Sequence, residues 1–130
     1  MLEDLFALDR RLADASRQAS EPIIAQMKLA WWRDRFAQPH ADWPKGEPLL
    51  ARLAVWDADV ARLGALVDGW EALLAEGPLS DGAIADFVEG RAVSWSIAAR
   101  TLGQEDDRTL EWVRDAGALW AVADLADHVA

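Results

Sequence analysis

The residues of this chain best spaced for chemistry lie near its C-terminal end. Asp124, Asp127 and His128 fall within about one helical turn, and Asp124 and His128, four apart, share a helix face. Carboxylate and imidazole donors at that spacing can hold a divalent cation. The competing reading is a polar helix end, with His128 favourably placed at the negative pole of the helix dipole. Asp14 is the other acidic candidate, and its neighbours Arg10, Arg11 and Gln18 describe a solvated helix face. Glu105, Asp106 and Asp107 suit a helix N-terminus. The chain has no cysteine, which excludes disulfides, thiolate metal sites and cysteine nucleophiles. His40 stands in a Pro-rich loop with no second candidate ligand close in sequence. No Gly-rich phosphate loop, zinc spacing or nucleophile elbow occurs.

The elements that must position these residues read as all-helical, about six helices in one domain spanning 1–130. Leu2, Leu5, Phe6, Asp9, Leu12 and Ala13 form a first stripe ending near Ala19. A second helix runs from Glu21 to about Ala37, with Ser20 as the expected N-cap. The loop 38–48 cannot continue it, because its prolines remove donors. A short helix starts at Pro48. Asp57 or Asp59 marks a restart or bend before the stripe Val60, Leu63, Leu66, Val67, Trp70, Leu73 and Leu74, which Gly77-Pro78 stops. Ser80 caps a long helix carrying Ile84, Phe87, Val88, Ala92, Trp95, Ala99 and Leu102, and Gly103 suits its C-terminal end. The last helix runs through Leu110, Val113, Leu119 and Trp120. Residues 116–126 are apolar nearly all round, with Asp124 the only charge, so this helix is expected to be covered on every side. Trp95 and Trp120, each inside a dense stripe, are expected to be buried.

Composition narrows the function. Hydrophobic residues make up 52% of the 130 positions, enough for a core and too many for disorder. A net charge of −10 opposes nucleic acid and anionic membrane surfaces as partners. No apolar run reaches the ~18–20 residues of a membrane span, and no secretory signal is visible. The absence of cysteine fits a cytoplasmic protein. The eight tryptophans supply large buried area with one N–H each to satisfy. Trp31 and Trp32 diverge by about 100° on a helix, so both cannot face the same core.

The segment 20–35, SEPIIAQMKLAWWRDR, adds a resemblance. Its pattern SEPxxxQxxLxWWRD resembles the squalene and phytoene synthase family of isoprenoid synthases. LVDGWEALL at 66–74, GRAVSWSIAARTLG at 90–103 and GALWAVADLADH at 117–128 are similar to later helical stretches of that family. The resemblance implies an all-α bundle like the N-terminal half of the isoprenoid synthase fold, because typical members extend well past residue 130.

It also implies two Asp-rich motifs that face each other across a cavity and hold Mg²⁺ against a diphosphate. The first would fall on residues 13–17, where Asp14 is the acidic residue and the outer clamp positions are Ala13 and Arg17. In the second, Ala121, Asp124, Asp127 and His128 stand at the Gln, Asn, Arg and Asp positions. An apolar and a cationic clamp position cannot supply the oxygen ligands Mg²⁺ needs. Arg17 could instead contact a phosphate directly. The expectation is a non-catalytic interaction or assembly protein with no cofactor. The alternative is a Mg-dependent prenyl-diphosphate transferase, or a subunit of one completed by a partner chain. The resemblance is also compatible with an isoprenoid ligand. The apolar last helix leads us to expect a homodimer or another protein partner, with Val122 or Leu125 reaching it.

Overall fold

The computed structural model describes residues 2–18, 21–74, 79–101, 103 and 106–129, excluding the side chains of 2, 18, 57, 58, 101 and 127–129. Those residues form six α-helices: α1 Leu2–Gln18, α2 Pro22–Phe36, α3 Pro48–Leu53, α4 Gly64–Ala72, α5 Asp81–Thr101 and α6 Asp107–Val129. A 3-10 turn, His40–Asp42, lies in the loop after α2, and a ten-residue 3-10 segment, Ala54–Leu63, joins α3 to α4. There is no strand among the described residues. The expected restart at Asp57 or Asp59 is therefore a tightening of the helix into 3-10 geometry. No helix among them is long and apolar enough to cross a membrane.

Local chemistry sets most boundaries. The Ser80 hydroxyl accepts from the Ala83 N–H at 3.1 Å and starts α5. The Asp106 carboxylate accepts from the Thr109 N–H at 3.1 Å and starts α6. Gly103 takes φ +100°, a left-handed conformation that ends a helix at little cost only for glycine. One expected boundary moves. The N-cap of α2 is Glu21, in extended conformation and without a side-chain cap. Pro22 occupies the first turn and pushes the residue before it out of helical conformation, so the boundary falls at Glu21. Ser20 lies outside the described residues, as do Gly77, Pro78, Leu102 and Glu105.

One continuous core links α1 to α6. Leu5, Leu8 and Leu12 of α1, Leu29, Trp32 and Phe36 of α2, Leu66, Val67 and Trp70 of α4, and Phe87 and Ile97 of α5 are all buried in it. Trp32 is buried and Trp31 half-buried, with their rings edge to face at 5.0 Å. α4 and α5 cross closely at two glycines. A methyl group on Gly90 would lie 2.5 Å from the Ala65 carbonyl oxygen, and one on Gly69 would lie 2.9 Å from the Phe87 Cα.

α6 departs from expectation. It packs along α5 and comes comparably close to no other helix. Gly117, Ala121 and Leu125 are buried, whereas Leu119 is 72% and Val122 53% exposed. The segment that reads as apolar all round is therefore covered on one side only. Trp95 and Trp120 are half-buried rather than buried. They lie 5.4 Å apart, and Phe6 of α1 meets each ring edge-on. Phe6 is itself 42% exposed, so the three rings form the rim of the core and not its centre.

Candidate functional site

At that rim a buried cation meets two carboxylates. Arg91, on α5, is 2% exposed. Its Nη2 donates to Asp9 Oδ2 on α1 at 2.7 Å and lies 2.7 Å from Asp124 Oδ2 on α6. Its Nε donates to Asp9 Oδ1 at 3.4 Å, and Trp70 Nε1 of α4 donates to the same oxygen at 2.9 Å. One guanidinium thus joins four helices. Three aromatic rings surround it, with the Trp120 centroid at 4.0 Å, Phe87 at 4.7 Å and Trp70 at 5.4 Å. Arginine suits this setting because its planar, delocalised charge both stacks on rings and forks onto carboxylates.

The helices explain the convergence. Asp9 lies four residues after Leu5 and three before Leu12, on the buried stripe of α1. Arg91 lies four after Phe87 and three before Ser94, on the buried stripe of α5. Each charge is carried inward by its apolar neighbours and is compensated by the other. Burial pushes the Asp9 carboxyl above its ordinary range, against the opposing pull of Arg91 and Trp70. Arg91 Nη1 is buried and has no acceptor.

A cleft of about 540 Å³ opens over the cluster. Asp9, Arg91 and Asp124 line it together with Arg10, Arg17, Phe6 and Trp120. The side chain of Asp124 is 28% exposed and that of Asp9 12%, so Asp124 is the more open of the two carboxylates.

The structure brings some of the residues singled out in the sequence to this cleft. Asp124 is there, ion-paired to Arg91. Arg17 also lines it, exposed and 3.8 Å from Asp14. Asp14 lines a separate cleft of about 440 Å³ with Arg11, Lys28, Trp31, Trp32 and Glu47. The side chains of Asp127 and His128 lie outside the described residues. Among the described residues, no group of three or more His, Asp or Glu side chains is arranged to hold a metal. Sequence reasoning marks neither Asp9 nor Arg91 as a site residue, although their positions on apolar stripes are visible in it.

No protein-family model, curated protein or solved structure matches the chain.

Proposed function

We propose that this chain is a non-catalytic interaction or assembly protein of squalene and phytoene synthase type, acting in the cytoplasm and pairing with a second copy of itself through the outer face of α6. The observation that carries the reading is a stripe on that face. Trp112, Leu119 and Val122 are 71%, 72% and 53% exposed and lie seven and three residues apart. That is the spacing of a helix-pairing seam. Exposed apolar residues scattered singly are ordinary, but three large ones along one stripe mark an interaction surface. A two-fold pair needs only one self-complementary patch, and a regular stripe on a long helix provides it. Leu125 is buried within the chain, so the contact is assigned to Leu119 and Val122.

The Arg91 cluster supports the non-catalytic part of the reading. The carboxylates facing the cleft, Asp9 and Asp124, already neutralise an internal cation. The test of the pairing is mass by light scattering across a concentration series. The wild-type chain is expected to shift towards dimer as concentration rises, and Leu119→Glu to stay monomeric with its melting temperature unchanged. A wild-type chain that remains monomeric throughout would overturn the reading.

A further inference from the structure

We propose that the two copies pair with their α6 helices antiparallel, Leu119 of each lying against Val122 of the other. The inference rests on the pairing through α6 proposed above and names its orientation and register. Three observations carry it.

The first is the shape of the face. Gly117, Ala121 and Leu125 are buried on the side of α6 that packs along α5. On the opposite side Arg108, Trp112, Asp115, Leu119, Val122 and Ala126 are all exposed. They follow one another at steps of four and three residues in alternation. Those are the a and d positions of a heptad, a seam that fits one partner helix.

The second is that charge divides the seam. Its N-terminal half carries Arg108 and Asp115, with the exposed Glu111 beside them. From Ala116 to Ala126 the only charge is Asp124, which is ion-paired to Arg91. A parallel two-fold pair would set Asp115 against Asp115 and Arg108 against Arg108, like charge on like at each level. An antiparallel pair sets the charged half of each copy against the uncharged half of the other. Charges on a helix seam and its flanks select orientation in this way.

The third is the order of large and small residues. Leu119 against Val122 of the second copy gathers four aliphatic side chains at the two-fold axis. The same register sets Asp115 opposite Ala126 of the second copy. Alanine is too short to cover the carboxylate, which keeps its water and avoids the cost of burial. It also leaves room beside it for the Trp112 indole. The N-terminal end of each helix then lies beside the C-terminal end of the other, the favourable arrangement of two helix dipoles.

The test uses disulfides, because the chain has no cysteine and a disulfide needs Cα atoms within about 7 Å of each other. Residues 115 and 126 are eleven apart, about 16 Å along one helix. In the proposed pair neither residue can therefore reach its own equivalent, whereas each faces the other. Ala126→Cys and Asp115→Cys, both at exposed positions, are oxidised singly and as a one-to-one mixture at micromolar concentration, then resolved on a non-reducing denaturing gel. The mixture, in which one copy of each pair keeps Asp115, is expected to give a disulfide dimer. Ala126→Cys alone is expected to stay monomeric. Leu119→Cys with a short bismaleimide links in either orientation, so it reports the pairing separately. If Leu119→Cys links and Ala126→Cys alone yields as much disulfide as the mixture, the pair is parallel and the proposal is overturned. It is also overturned if Leu119→Cys links and the mixture yields no disulfide. If Leu119→Cys does not link, the pairing itself falls and the orientation with it.

Discussion

Asp9 and Asp124, 115 residues apart on α1 and α6, share one nitrogen of Arg91, each at 2.7 Å. The buried Asp9 carboxylate and the buried Arg91 cation are acceptable only because each compensates the other, and the more open Asp124 adds a second carboxylate to the same nitrogen. The cluster therefore acts as a three-part unit whose members depend on one another.

Arg91→Met removes the cation and leaves its partners. Breaking a buried ion pair on one side costs about 3–5 kcal/mol, a large share of the roughly 5–15 kcal/mol of a small domain. Thermal melts are expected to show a strongly lowered midpoint. The triple substitution Arg91→Met, Asp9→Leu and Asp124→Leu, which removes all three charges, is expected to melt higher than Arg91→Met alone. A triple variant that melts lower would mean that the charges contribute more than their mutual compensation.

The pH response follows from the raised pKa of Asp9. The folded chain binds this proton more tightly than the unfolded chain, whose value is near 3.8. The resulting stability is fully present below the unfolded value and is lost as pH rises through the folded value. Asp9→Asn cannot titrate at this position. The wild-type midpoint, measured relative to that of Asp9→Asn, is thus expected to rise as pH falls from neutral towards 4. A relative fall over that window would show that the ion pair with Arg91 outweighs burial.

Gly90→Ala tests the crossing of α4 and α5. Alanine gains about 1 kcal/mol of helix propensity over glycine. The added methyl would meet the Ala65 carbonyl oxygen at 2.5 Å, and backbone cannot turn aside as a side chain can. Overpacking of this kind costs about 1–3 kcal/mol, so the steric effect is expected to win and denaturant melts to show net destabilisation. A stabilised variant would mean that the two helices can separate freely.

Titration with farnesyl diphosphate, with and without Mg²⁺, tests the absence of a metal clamp. No Mg²⁺-dependent increase in affinity is expected, because Asp124 is ion-paired to Arg91 and, under the proposed family reading, the outer clamp positions would be Ala13 and Arg17. Micromolar binding that requires Mg²⁺ would favour the transferase alternative.

Much of the architecture was legible because it is written locally. Apolar residues at helical spacing, the Ser80 cap, Pro48 and Gly103 each act within a few positions of themselves. The cluster was not legible in the same way. Asp9 and Arg91 are 82 residues apart, and no local pattern pairs them. The available signal is a charge on each of two apolar stripes, which demands a buried partner without naming it. α6 misleads for a related reason. Its Ala, Leu and Val residues give no polar face to read, so the sequence does not tell which side α5 covers. Trp120 reads as a core residue, yet it stacks on Arg91 at the rim of a cleft.

The central claim, pairing through the outer face of α6, is tested most directly by cross-linking. The chain has no cysteine, so a single introduced thiol reports one position. Leu119→Cys and the control Val55→Cys, at a 55% exposed site in the 3-10 segment, would each be treated with a short bismaleimide at micromolar concentration and resolved on a denaturing gel. The account predicts a covalent dimer for Leu119→Cys and monomer for Val55→Cys. Equal yields at the two positions, or no dimer at either, would contradict it.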